Sequence, residues 1–294
     1  MTKCLIVGAH GMLGHKIYQV FSKEFDTYGT IHGGLSEIYK YESLFYKKQN
    51  LIDHVDAKII LSVEKAINQV KPDVVINCIG IVKSLTEKTE NKLDSIWVNS
   101  LFPHQLYNLC HNRGIKLIHI STDCVFRGAT GNYSELFNPD ARDLYGRTKY
   151  LGELNGYALT LRTSIIGREL SGQKNLVEWF LTHRNDTVQG FTKAFWNGFT
   201  TLEFANILLD IVKNHPDFTG LYHLSSETVS KYELLKMIKE AMGLSVDILP
   251  HDEFLVNRTL DSTLFRNHTG FIPKPLKQQV VEFAEDARMY EKWR

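Results

Sequence analysis

Short apolar runs rich in β-branched residues alternate, through the first half of the chain, with stretches whose apolar residues recur at helical spacing. Cys4–Val7, Thr27–Ile31, Val74–Val82, Lys116–Ile120 and Ala158–Ile166 read as strands, and Leu13–Glu24, Ser62–Val70, Ser95–Arg113 and Arg147–Glu153 as helices. Strand–helix alternation of this kind predicts an α/β fold with a parallel, doubly wound sheet covered on both faces. Gly114 after Arg113 fits a helix stop ahead of the next strand. Beyond about residue 166 the alternation loosens. Helical patterns at Leu176–His183, Leu202–Asn214 and Lys231–Met242 are separated by polar, aromatic and Gly-containing stretches such as Gly190–Thr201 and Leu221–Thr228. The expected organisation is a dinucleotide-binding domain over residues 1–166, rejoined by part of 198–224. Residues 167–294 then form mainly a smaller substrate lobe, with the ligand groove between the two.

Composition narrows the function classes. With 34 Lys and Arg against 33 Asp and Glu, the net charge of +1 gives no global field for nucleic acid or an anionic membrane, so an anionic ligand must be held locally. The four cysteines form no C-x-x-C pair and three sit in apolar strand-like runs, which points to reduced thiols and a cytoplasmic setting. The apolar run at the N-terminus is too short for a signal sequence or a membrane span. Twelve histidines show neither H-E-x-x-H nor Cys/His ligand spacing, so no catalytic metal is expected.

The first strand runs into Gly8-Ala-His-Gly11-Met-Leu-Gly14 and then a helix. Glycines at this spacing permit a tight turn and let backbone N–H groups approach a pyrophosphate at the positive end of the helix dipole. Gly8, His10, Gly11, Met12 and Leu13 are therefore candidate contacts of a dinucleotide. An Asp or Glu ending the second strand would favour NAD by accepting from the ribose 2′-hydroxyl. The strand here ends Thr30-Ile-His32-Gly-Gly34 with no carboxylate, which favours NADP(H), with NAD(H) still admitted; Thr30 and His32 are candidate phosphate contacts. Asn77, Cys78 and Gly80 are candidates to line the cofactor cleft, and Asn99 to fix backbone or water beside it.

Tyr145 and Lys149 stand four apart, on one face of a helix, so a lysine ammonium could stabilise the phenolate of an otherwise poor proton shuttle. Lys149 could also hold the nicotinamide ribose. Thr122, at the end of the strand before, would hydrogen-bond a substrate oxygen as charge grows on it. Tyr-x-x-x-Lys arises about once by chance in such a composition, and Tyr232 with Lys236 repeats it in the second lobe, where no strand-end Ser or Thr precedes it in the right order. That second pair reads as structural.

At these residues the chain resembles the extended short-chain dehydrogenase/reductases, and within them the dTDP-4-dehydrorhamnose reductase family. The matching segments are Gly8–Gly14, Ile118-His-Ile-Ser-Thr-Asp123 with Val125-Phe126, Asp143-Leu-Tyr-Gly-Arg-Thr-Lys149, Gly152-Glu153 and Leu161-Arg-Thr-Ser164. Gly220–Leu224 and Ser230-Lys-Tyr232 agree more loosely. The resemblance implies a Rossmann-type cofactor domain, a small C-terminal sugar-nucleotide lobe and a Thr122/Tyr145/Lys149 triad. It also implies reduction of a 4-keto-6-deoxy sugar on a nucleoside diphosphate during polysaccharide or glycoconjugate synthesis. Where the family carries Tyr after Ser-Thr-Asp and Trp after Arg-Thr-Ser, this chain has Cys124 and Ile165, so an altered sugar pocket is expected. Asp123, Cys124, Ile165, Asn175, Trp179 and Trp196 are candidates for it, and Lys83 and Arg258 for the diphosphate. The expected partner is the nucleotide-sugar substrate, without nucleic acid or membrane; a homodimer is left open.

Two other functions compete. A sugar-nucleotide dehydratase or epimerase of the same superfamily recycles bound NAD, but such dehydratases follow Thr with Asp-Glu, and here Asp123 is followed by Cys124. A non-catalytic NADP-binding regulatory subunit, like that of methionine adenosyltransferase, is the other, and an intact triad argues against it.

Overall fold

The computed structural model describes residues 1–45, 48–86, 88–173 and 175–293. Strands β1 (Lys3–Val7), β2 (Asp26–Thr30), β3 (Leu51–Ile52), β4 (Val74–Asn77), β5 (Lys116–Thr122) and β6 (Leu159–Thr163) join the edge strand Gly220–His223 in one seven-stranded sheet. The order is Gly220–His223, β6, β5, β4, β1, β2, β3, and every pairing is parallel. Side chains alternate across β1: Cys4 and Ile6 enter the core under helix α1 (Met12–Phe21) and helix Thr201–Asn214, while Leu5 and Val7 enter the core under helix α2 (Ile60–Val70) and helix Phe102–His111. Both faces are therefore dry, as a sheet of near-continuous apolar strands requires.

Several boundaries differ from the hydrophobic reading. The apolar run Val74–Val82 is strand only to Asn77, because Cys78–Val82 crosses the carboxyl edge of the sheet and turns into the site. The Ala158–Ile166 run divides into β6 and a two-residue strand, Ile165–Ile166, that leaves the large sheet to pair with Phe199–Thr200. The helix expected over Ser95–Arg113 starts earlier, at Lys92, and carries a π segment, Trp97–Leu101, before Phe102–His111. It ends where Gly114 takes φ +65°.

In the second half, strands Thr187–Phe191 and Asp247–His251 pair in parallel, and Ala194–Trp196 is flanked by Val229–Ser230 and Val256–Asn257. Helices Leu176–Thr182, Lys231–Met242 and Leu276–Ala287 close a separate core around Phe180, Leu234, Ile238 and Phe283. Ser230 and Glu233 form a reciprocal capping box that starts the Lys231–Met242 helix. Tyr232 and Lys236 lie on that helix with the ammonium 5.4 Å from the ring centroid, in keeping with a structural pair. The chain end returns to α1: buried Lys16 pairs with Asp286, and His15 hydrogen-bonds the Tyr290 hydroxyl. Among the described residues no helix is long and apolar enough to cross a membrane.

Candidate active site

The sheet reverses its strand order at β1 and β4, and Val7 sits in register with Thr30 on one side and Asn77 on the other. The segments that follow these three strands converge at the carboxyl edge, the place where open α/β sheets bind ligands. Gly8 has φ +88°, and a Cβ on Gly14 would lie 2.1 Å from the Gly8 carbonyl oxygen, so no side chain is tolerated where α1 passes the turn. α1 starts behind Gly11 with neither a side-chain cap nor an acidic residue in its first turn. A helix start without a competing side-chain acceptor fits a dinucleotide pyrophosphate.

Thr30 is buried, and its hydroxyl accepts from the Gly8 N–H at 3.1 Å. This corrects the expectation of a phosphate contact: Thr30 braces the turn instead. His32 is exposed and lies 3.4 Å from Asp56. His10, on the turn, has its pKa lowered by desolvation and by neighbouring His32, while Glu37 acts in the opposite direction.

The floor of the cleft is built from amide groups. Asn77 Oδ1 accepts from the Ile79 N–H at 3.1 Å, and its Nδ2 meets His119 Nδ1 at 3.1 Å. Asn99, inside the π segment, accepts from the Ile81 N–H at 2.8 Å, donates to the Ile81 carbonyl at 3.0 Å and reaches the Thr148 hydroxyl at 3.3 Å. It thereby ties the Gly80–Ile81 segment to the helix Leu144–Leu151. Cys78 remains a thiol, because burial raises its pKa and Lys149 only partly offsets this. A Cβ on Gly80 would stand 3.5 Å from Asn99 Oδ1 and 4.0 Å from Lys149 Nζ, so the glycine leaves space beside that ammonium.

Tyr145 hydrogen-bonds Thr122, and Lys149 lies one turn further along the same helix. Asp143 caps the Leu144–Leu151 helix by accepting from the Gly146 N–H at 2.9 Å. A Cβ on Gly146 would lie 2.2 Å from the Cys124 carbonyl oxygen, so this glycine lets the helix sit against the end of β5. Tyr145 thus reaches Thr122. Burial, with Cys124 and Asp123 nearby, raises the Tyr145 pKa; its hydrogen bond with the Thr122 hydroxyl works the other way. Lys149 is 5 % exposed and donates to the Ile120 carbonyl at 2.7 Å. Burial brings its pKa down to about 8, against the opposing pull of Glu153.

Behind the triad, Glu153 accepts from Ser121 Oγ at 2.6 Å and from two nitrogens of Arg162, each at 2.7 Å. Both charged side chains are 4 % exposed. Arg162 also contacts His223 Nε2 at 3.1 Å, which joins β5, β6, the edge strand and the end of the tyrosine helix in one buried network.

On the substrate side, Lys83 pairs with Asp143 at 2.9 Å, and Arg258 donates to the Phe126 carbonyl at 2.7 Å. Asp123 accepts from the Thr122 hydroxyl at 3.1 Å; burial raises its pKa, and Arg258 and Lys231 oppose the rise. Burial pushes the Cys124 thiol up to about 12, which keeps it neutral. Ile165 is half-buried beside Phe199. Asn175 does not behave as a free pocket residue. Its carbonyl oxygen caps the helix Leu176–Thr182, and its amide lies against Met12 Sδ. Trp196 is likewise a core residue, in the cluster of Phe180, Leu234 and Phe283, with Nε1 donating to Ser164 Oγ at 2.9 Å. Trp179 packs partly buried against the same core and the His183 ring. Sequence reasoning missed Lys231, whose only signal is its place directly after the Ser230 cap, and the Glu153–Arg162 pair, whose partners lie on different elements.

Known proteins resemble this chain in sequence and in fold. The family model described as RmlD substrate binding domain matches residues 2–288. The methionine adenosyltransferase 2 subunit beta of Xenopus laevis is 27 % identical, over 82 % of this chain and 72 % of its own length. A dTDP-4-keto-6-deoxy-D-glucose reductase of Streptomyces niveus is 32 % identical over 62 % of this chain and 65 % of its own. Among solved structures, the dTDP-4-dehydrorhamnose reductase of Bacillus anthracis in complex with NADP superposes with a TM-score of 0.78. That match is 22 % identical and covers 97 % of this chain and 100 % of the other.

Proposed function

Because the chain belongs to the RmlD substrate binding domain family, we propose that it is an NAD(P)H-dependent reductase of the 4-keto group of a nucleotide-linked 6-deoxy sugar, serving polysaccharide or glycoconjugate synthesis. The observation that carries this reading is the meeting of Thr122, Tyr145 and Lys149 beside an uncapped glycine turn. Gly8–Leu13, Cys78, Gly80 and Lys149 would hold the cofactor, with NADP(H) preferred and NAD(H) accepted. When bound, the nicotinamide supplies the hydride. Tyr145 gives its hydroxyl proton to the carbonyl oxygen as the C–H bond forms and the C=O π bond opens, leaving an alcohol and a phenolate. Lys149 stabilises that phenolate, and Thr122 donates a hydrogen bond to the substrate oxygen as charge grows on it. Lys83, Lys231 and Arg258 supply cations for the diphosphate, and Cys124 and Ile165 border the sugar.

The test is NADPH consumption with a panel of nucleotide 4-keto-6-deoxy sugars. Turnover with at least one member is expected; cofactor binding without turnover on any of them would sink the reductase reading. The pH dependence is a second check. Reduction needs Tyr145 protonated and Lys149 charged, and the Tyr145 pKa is raised while that of Lys149 is lowered to about 8. Thus kcat/KM is expected to fall as pH rises through about 8, and a flat profile up to pH about 10 would contradict the assignment. The same group acts on stability. Its folded pKa lies below the ordinary lysine value of 10.5, so it costs stability where it is charged, and that cost fades as pH rises from about 8 to 10.5.

The match to a methionine adenosyltransferase subunit favours one second reading, a regulatory chain that binds a dinucleotide and a catalytic partner. Capture of a methionine adenosyltransferase catalytic subunit, unchanged by Tyr145→Phe and without sugar turnover, would select it.

A further inference from the structure

No carboxylate ends β2 in the sequence, yet folding returns one to that place. The 3₁₀ helix Leu35–Leu44 follows Gly34 and doubles the chain back, so that the Glu37 carboxylate lies over the backbone of Gly33. A Cβ on Gly33 would meet Glu37 Oε1 at 2.1 Å and Oε2 at 2.5 Å, so only glycine leaves the carboxylate this seat. Gly34 N–H donates to Oε1 at 3.3 Å, and Glu37 N–H donates to the Gly34 carbonyl at 3.0 Å. Glu37 also acts electrostatically on His10, a residue of the glycine turn, as does His32. The carboxylate is exposed and therefore available to a ligand. It stands where the second strand ends and near the pyrophosphate turn, the region occupied by the adenosine ribose in a dinucleotide-binding sheet. From Thr30 to Ile38 the chain has no lysine or arginine to offset it.

We propose that Glu37 sets the balance between the two nicotinamide dinucleotides. Its carboxylate accepts a hydrogen bond from the ribose 2′-hydroxyl of NADH and repels the 2′-phosphate of NADPH, holding back a preference that the bare strand end would otherwise make larger. This inference rests on the cofactor assignment made above. A purely local role is the alternative, since the Gly34 contact also caps the 3₁₀ helix; glutamine keeps that cap while removing the charge.

Calorimetric titration of NADPH and NADH into the wild-type protein and Glu37→Gln separates these roles without any turnover. The ratio of the NADH Kd to the NADPH Kd is expected to rise about tenfold in the variant, as loss of one charged hydrogen bond and one repulsion implies. Glu37→Ala, checked by its thermal melt, reads the same ratio should the amide variant fold poorly. An unmoved ratio in a folded variant would overturn the inference and leave Glu37 as a helix cap, with the cofactor assignment intact. Failure of the wild-type protein to bind either dinucleotide would overturn both.

Discussion

Tyr145→Phe is expected to lower kcat for ketone reduction by roughly 10²–10⁴-fold while leaving the dinucleotide Kd within about twofold of wild type. The substitution removes one oxygen from a half-buried ring and nothing else. The ring still fills its place against the end of β5, and neither the Asp143 side-chain cap nor the Gly146 contact that seats the helix involves its hydroxyl. What is lost is the proton donor and its hydrogen bond with Thr122. Thr122→Ala takes away a hydrogen bond to the substrate oxygen but no proton, so a smaller loss is expected there. If Tyr145→Phe retained kcat within about threefold, the proton would have to come from elsewhere, and the half-buried Asp123, whose pKa is raised, would become the first residue to test.

Glu153→Ala is expected to destabilise the folded protein by about 3–5 kcal/mol, because it strands the Arg162 guanidinium in a site where both partners are 4 % exposed. The lost carboxylate also leaves Ser121 Oγ without its acceptor. Urea unfolding would measure the shift. Replacing both partners by methionine should restore most of the loss, since the cost of a broken buried pair lies mainly in the abandoned charge. A loss under about 1 kcal/mol in the single variant would mean that water reaches Arg162 and the network is not sealed.

Much of this was legible in the sequence, for identifiable reasons. Local signals are self-contained: β1 with its turn and α1, the four-residue spacing of Tyr145 and Lys149, and the capping pattern at Ser230 each need only neighbours in the chain to be read. What escaped depends on where distant segments meet. The edge strand Gly220–His223 is half-buried over most of its length and shows little strand patterning until it pairs with β6. Cys78–Val82 looks like more strand because Cys78, Ile79 and Ile81 pack partly buried against the two cores of the sheet, while their backbone has left the ladder. Asn175 and Trp196 have the residue types of a sugar pocket, but a helix start and a core took them. Glu37 lies seven residues beyond the strand end, where no rule of spacing looks for it.

The π segment Trp97–Leu101 carries a consequence for how relatives should be compared. An α-helix advances about 100° per residue, and a single π turn holds one residue more than α geometry would, in effect an insertion absorbed without a loop. Removing one residue there would rotate Lys92–Ile96 by about 100° against Phe102–His111, and Asn99 could no longer face Ile81 and Thr148 together. A one-residue gap at this point in an alignment would therefore mark a chain whose cofactor floor has been rebuilt, even where its tyrosine and lysine align without a shift.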